Sequence, residues 1–584
     1  MRKARLLSLF AVGSLAVTLI CVSGILVGQA DEQMDRSVSA IGSPFAILHS
    51  FAGHPNDGAS PYGSLTLSGT TLYGMNNTGG ANGLGAIFKF DTTTDLETVL
   101  HSFAGGANDG QYPLESLTLS GTTLYGMTQA GGSNGFGTIF KFDTKTNGLT
   151  VLHSFAGGTN DGAGPQGSLT LSGTTLYGMT REGGAGDGGT IFKFDTKTNG
   201  LTVLHSFAGG TNDGQYPPGS LTLSGTTLYG MTYYGGAGDL GTIFKFDTKK
   251  NVETVLHSFA GGTNDGAYPY GSLTLSGTTL YGMTFEGGAG GKGTIFKLDT
   301  KTNVVTVLHS FAGGANDGAS PYGSLTLSGT TLYGMTRSGG AGQAGTIFKF
   351  DTATDLVTVL HSFAGGANDG ASPYGSLTLS GTTLYGMTEA GGADGGFGTI
   401  FSIPTFLLST IAGVVTSSAG PAMPGVTVTL SQPHWSSQTT TGQSGAYSFP
   451  DLAPGNYTVT PSLTGYVFTP KSILVSVNGS TPAKDFTGAP VTISGTVTFN
   501  GAPVKTNLTI NLSGKASGAY PTDTSGGYIS SPLANGAYKV TPTLTHPLPV
   551  PKASPPSATI VINGKSVTQN FTYKWVSSCG DCHP

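Results

Sequence analysis

The sequence predicts an all-β protein: a seven-bladed β-propeller followed by two β-sandwich domains. Three observations lead there. A unit recurs seven times, marked by His49, His101, His153, His205, His257, His309 and His361, each 52 residues after the last. Each unit holds four short runs of alternating apolar and polar residues rich in Val, Ile, Thr, Tyr and Phe, the pattern of half-buried strands. No window carries the i, i+3, i+4 apolar stripe that a helix needs.

The third repeat shows the plan. Residues 150–155 put Val151, His153 and Phe155 on one face. Residues 168–172 do the same with Leu169 and Leu171, residues 175–180 with Tyr177 and Met179, and residues 190–195 with Phe192 and Phe194. Ser172-Gly173-Thr174 reads as a tight hairpin, and 195–200 as a longer one. Asn160-Asp161-Gly162 and Gly183-Gly184 mark two further loops, because Asn and Gly reach positive φ at little cost. Four antiparallel strands at a period near 50 describe a propeller blade. The array opens with a lone His-type strand at 45–51 and closes at 399–403 without a successor. The first strand is therefore expected to complete the last blade, leaving no open edge.

The chain divides by texture. Residues 1–30 read as an export signal: Arg2, Lys3 and Arg5 precede an apolar run, and Gly28-Gln29-Ala30 supplies small residues at a cleavage site. Residues 31–44 are a linker, and 45–404 are the propeller. In 405–489 and 490–573, Val-Thr-Val alternation replaces the Gly-Gly loops, which suits two β-sandwiches. Five prolines between Pro547 and Pro556 interrupt the later strands of the second. Residues 574–584 form a tail ending in Cys579-Gly580-Asp581-Cys582-His583-Pro584.

Composition narrows the function. Glycine is 96 of 584 residues, but it is periodic and so belongs to turns rather than to disorder. Charged residues are 10% and the net charge is −5, with no basic stripe, so nucleic acid is not an expected partner. No membrane span is expected after signal cleavage. The protein is read as an exported, extracellular or envelope-bound monomer.

The run Leu176-Tyr177-Gly178-Met179-Thr180, then Gly183-Gly184 and Thr190-Ile191-Phe192-Lys193-Phe194-Asp195, resembles the repeat of bacterial GloVer tandem-repeat proteins. The resemblance covers 45–404. It implies a secreted protein whose anchor varies between members, and it brings no assigned activity. Leu452-Ala453-Pro454-Gly455-Asn456-Tyr457 and Leu533-Ala534-Asn535-Gly536-Ala537-Tyr538 resemble carboxypeptidase-regulatory-like domains, which implies seven-stranded prealbumin-type sandwiches.

Several residues invite chemistry. The pair before Gly-Gly varies between repeats and includes Arg181, Glu182, Tyr233, Tyr234, Phe285, Glu286 and Arg337. The loop before the second strand varies too, with Tyr62, Tyr112, Tyr216, Tyr268, Tyr270, Tyr322 and Tyr374. If the strands hold the scaffold, these loops display the variable chemistry on a rim suited to stacking on sugar rings or gripping a protein. Non-catalytic binding of an extracellular polysaccharide or protein is the leading expectation, with carbohydrate first. A polysaccharide hydrolase or lyase is a rival, although no catalytic pair stands out at a glycosidase spacing. The tail offers Cys579, Cys582 and His583 as a c-type haem attachment motif, with a Cys579–Cys582 disulfide or a truncation scar as alternatives. No cofactor is otherwise expected. The repeated histidines read as structural hydrogen-bonding groups rather than a metal ring. The Asn-Asp-Gly turns read as turns rather than calcium loops.

Overall fold

A computed structural model describes residues 45–406, 408–433, 435–477, 483–504, 508–544 and 551–574. The signal-like segment, the linker and the Cys579/Cys582/His583 tail lie outside these residues. Every regular element in the described residues is a strand; none is a helix.

The repeat array holds seven four-stranded antiparallel sheets. In the third repeat the strands are Thr170–Ser172, Thr175–Thr180, Thr190–Asp195 and Gly200–Ser206, paired in that order. The last sheet takes its outer strand, Ala46–Ser50, from the start of the array, where it pairs with Thr399–Pro404. Each repeat also carries an element the alternation did not show. Gly162–Ala163 pairs with Glu182–Gly183 as a two-residue ribbon beyond the sheet end.

Strict alternation also fails in the outer strand. Ile139 faces His153 and Phe140 faces Val151, so Leu152 is an extra, bulged residue. A bulge bends its strand and re-aims the next side chain. Here it turns the histidine toward the Asn-Asp-Gly loop.

The sheets do not merge into one continuous sheet; side chains join them. The Ser64 amide donates to Ser116 Oγ at 2.7 Å. The same bond links Ser116 to Ser168, Ser168 to Ser220, Ser220 to Ser272, Ser272 to Ser324 and Ser324 to Ser376. The seventh runs from Ser376 back to Ser64 Oγ, so the series closes on itself. A parallel series from Thr66 Oγ1 to the Leu117 carbonyl ends with Thr378 donating to the Leu65 carbonyl. Outside this inner belt, each core lies between neighbouring sheets. Met127, Ile139 and Phe155 of one repeat bury against Leu169, Leu176, Phe192 and Phe194 of the next. Burying each such side chain contributes about 1.5–3 kcal/mol, so no sheet is stable without its neighbours.

Past the array, Ser409–Ser417, Ala446–Leu452, Phe486–Pro490 and Tyr466–Thr469 form one sheet. Thr427–Gln432, Trp435–Thr440, Gly455–Ser462 and Ile473–Val477 form another. Ile411, Val415, Val428, Leu430, Val459 and Phe486 share one core. That is eight strands where seven were expected; Tyr466–Thr469 pairs with Phe486–Pro490 at the sheet edge. The second segment has its own core around Ile493, Ile510, Tyr538 and Phe571. Tyr457 donates to the Ala453 carbonyl and Tyr538 to the Ala534 carbonyl, both at 2.9 Å, so the same corner is built twice. Pro555 and Pro556 separate Lys552–Ser554 from Ala558–Ile562, as the proline run predicts.

Candidate functional site

Strand two and strand four of each repeat both run toward the ribbon, so the ribbons, the variable pairs and the loops before strand one gather at one end of the array. The variable pairs and the tyrosine loops are separate along the chain and are expected on one rim. The structure makes them one surface.

Its centre is set by the two residues before each belt serine. Six repeats have glycine immediately before it. A Cβ at Gly167, Gly219, Gly271, Gly323 or Gly375 would collide with the backbone of the next repeat. The residue before that glycine therefore stands beside the belt, and it is Tyr62, Tyr270, Tyr322 and Tyr374 in four contiguous repeats. Their rings touch in series: Tyr270–Tyr322 at 4.2 Å, Tyr322–Tyr374 at 4.2 Å and Tyr374–Tyr62 at 4.6 Å. Tyr233 extends the series, 5.9 Å from Tyr270 and 4.8 Å from Tyr234, and it stacks on Tyr268 at 5.1 Å. Phe285 packs edge-on against Tyr322 at 5.0 Å.

Charged groups are set into this aromatic face. Arg337 lies over Tyr322 and Tyr374, 5.5 and 5.2 Å from their centres, and 3.7 Å from Glu389. Tyr62 donates its hydroxyl to Glu389 Oε1 at 3.0 Å. Burial, helped by the Glu389 charge, pushes the Tyr62 phenol up to about 12. Arg337 Nε is buried and has no acceptor. Arg181 is exposed and lies 5.9 Å from Tyr216. Glu182 and Glu286 are exposed on the ribbons, opposite Ala163 and Ala267. The Glu286 charge reaches the phenols of Tyr233 and Tyr268.

One residue escaped the sequence reading. Glu115 occupies the position that is glycine in the other six repeats. It sits beside the inner belt, partly open to solvent, and burial pushes its carboxyl up to about 8. Its charge reaches the Tyr270 phenol, as does that of Arg181. The signal that would have found it is a departure from the repeat consensus at an invariant glycine, not a motif.

The histidines prove to be half of a pair. His153 Nε2 lies 3.1 Å from Asp161 Oδ2, and Asp161 also accepts the amides of Ala156 and Gly162. The same pairing recurs in all seven repeats. It ties the end of the outer strand to the Asn-Asp-Gly loop inside one repeat. Burial works against ionising Asp161, but His153 and the two amides outweigh it and lower its pKa.

These features define an all-β tandem-repeat protein. A family model described as the Gloeobacter/Verrucomicrobia repeat matches residues 37–244, 158–326, 228–448 and 313–503, and the chain belongs to that family. No curated protein matches. Among solved structures, an oligogalacturonate lyase in complex with manganese aligns with a TM-score of 0.41 and 14% identity, covering 62% of this chain and 92% of that one. An oligogalacturonate lyase from Vibrio parahaemolyticus gives 0.41 and 12%, covering 62% and 93%. The extracellular domain of a candidate one-component system from B. thetaiotaomicron gives 0.40 and 11%, covering 89% and 58%. No activity is carried over from them.

Proposed function

We propose that residues 45–404 form a seven-bladed propeller whose ribbon end is a carbohydrate-binding face, on an exported, non-catalytic bacterial protein with two C-terminal sandwiches. The closed series of seven serine bonds supports the ring. The pattern of residues 1–30 supports export. The observation that carries the binding role is the continuous face of Tyr270, Tyr322, Tyr374 and Tyr62 with the unpartnered Arg337 Nε set into it. Tyrosine offers a flat apolar ring and a polar rim, which suits a sugar's apolar face and hydroxyls. Arginine supplies fixed donors to hydroxyl or carboxylate oxygens.

The test is calorimetry of the full chain against a panel of neutral and acidic oligosaccharides. Tyr322→Ala and Tyr374→Ala should each weaken the tightest binder about tenfold, the equivalent of about 1.4 kcal/mol. Binding that survives the double substitution unchanged removes this face as the site.

Glu115 favours one second reading, a polysaccharide hydrolase or lyase. A carboxyl held protonated near neutral pH at the edge of a binding face has the property of a general acid. Turnover of any panel member, lost in Glu115→Gln while binding persists, would establish it. The Cys579/Cys582/His583 tail remains the basis of a haem-bearing alternative, and an absorption spectrum after expression with c-type maturation decides that.

A further inference from the structure

A metal site emerges from two of the seven junctions between neighbouring outer strands. At three of the seven junctions, the residue four before a histidine lies against the His–Asp pair of the preceding repeat. Phe45 shows the arrangement, stacking on His361 with ring centres 3.8 Å apart and planes at 4°. The residue is Phe45, Leu149, Leu201, Val305 and Val357 at five junctions, so there the position is apolar and offers no ligand. At the other two it is Glu97 and Glu253.

Those substitutions put a third ligand beside each pair. The ligand atoms of His49, Asp57 and Glu97 all lie within 4.8 Å of one another, as do those of His205, Asp213 and Glu253. His49 Nε2 is 3.0 Å from Asp57 Oδ2, and His205 Nε2 is 3.2 Å from Asp213 Oδ1. Tetrahedral zinc, with ligand bonds of about 2.0–2.2 Å, sets its ligand atoms roughly 3.3–3.6 Å apart, so each hydrogen-bonded pair has to open by only a few tenths of an ångström to admit the ion.

A second, independent observation points to a missing partner. Glu97 Oε1 and Glu253 Oε1 are buried and make no hydrogen bond. An unsatisfied buried carboxylate oxygen is costly. Asp57 and Asp213 are preset by two backbone amides each, from Ala52 and Gly58 and from Ala208 and Gly214. Such outer contacts orient a ligating carboxylate while leaving it lone pairs for a cation.

We propose that His49/Asp57/Glu97 and His205/Asp213/Glu253 are two zinc-class divalent metal sites. One imidazole nitrogen and two carboxylates make a mixed donor set that suits zinc and leaves its fourth position open. Each histidine turns its Nε2 lone pair to the ion and carries its proton on Nδ1. The ion bridges two repeats through ligands from both, so it fastens neighbouring sheets where the equivalent position elsewhere is apolar.

The test is equilibrium dialysis of the full chain against zinc chloride, with bound zinc measured by elemental analysis. The Cys579→Ser/Cys582→Ser background removes the tail thiols as ligands. The expected result is two zinc ions per chain, one in Glu97→Leu or Glu253→Leu, and none at these sites in the double variant. Leucine is native at two sister junctions, so the fold is kept. Leu149→Glu, which places a carboxyl over His101 and Asp109, should add a third ion. Absence of zinc binding by the parent, calcium displacing zinc, or a stoichiometry unchanged in the double variant overturns the proposal.

Discussion

Glu115 makes a quantitative prediction. Its carboxyl is displaced from 4.5 to about 8 by burial alone. Each pKa unit corresponds to about 1.36 kcal/mol, so full ionisation would cost the folded state about 5 kcal/mol more than the unfolded chain. Glu115 is partly open to solvent, and water screening reduces this to about 2–3 kcal/mol. The folded pKa lies above the unfolded one. The contribution is therefore intact below the ordinary glutamate range and disappears as pH rises through about 8. Glu115→Gln keeps the shape and removes the titration. Urea unfolding of parent and variant at pH 5, 7 and 9 should show the variant gaining about 2–3 kcal/mol over the parent between pH 5 and 9. Glu97 and Glu253, each raised to about 7, titrate in both proteins and cancel in the difference. A difference that stays flat with pH would show Glu115 ionising as an ordinary surface acid, and the argument for a buried acid at the face would fail.

Two further outcomes follow from the repeats. Asp57, Asp109, Asp161, Asp265, Asp317 and Asp369 all have lowered pKa values, so their contribution is present above 3.8 and is lost as pH falls through the folded values. Asp161→Ala should cost about 1–3 kcal/mol at pH 7 by stranding two amides and His153, and the deficit should shrink in acid; an equal deficit at pH 3 would refute it. In the first repeat Asn76 is 1% exposed with both side-chain polar atoms unpartnered, whereas the other six repeats place a threonine pair there, as Thr180 and Thr190 at 2.8 Å. Asn76→Thr with Ala86→Thr should raise stability by about 1–3 kcal/mol in the same urea assay.

Much of this was legible in the linear order of residues, for a specific reason. Strand alternation, Gly-bearing turns and a constant 52-residue spacing are local properties, and repetition states each of them seven times. The lone opening strand even forecast its partner, Thr399–Pro404, because an unpaired edge must be covered. Leu152 slipped through because a bulge is one unpaired residue inside an otherwise regular strand, and alternation cannot place it. The eighth strand of the segment that follows the array was missed because Tyr466–Thr469 is short and lies at an edge.

The candidate surface was only partly readable. Tyr233, Tyr234, Phe285 and Arg337, with Tyr62, Tyr322 and Tyr374, stood out as variable loop residues of one rim, but which of their rings touch needed the packing of repeat on repeat. Tyr62 and Tyr374 are neighbours only because the last repeat packs on the first. Glu97, Glu115 and Glu253 are isolated letters in the chain. They acquire chemistry when packing sets each beside groups from another repeat: a His–Asp pair, or the belt and Tyr270. Local order therefore determines the strands, the turns and the period. Contacts between repeats decide which of the odd residues meet, since those contacts depend on closure in space rather than on distance along the chain.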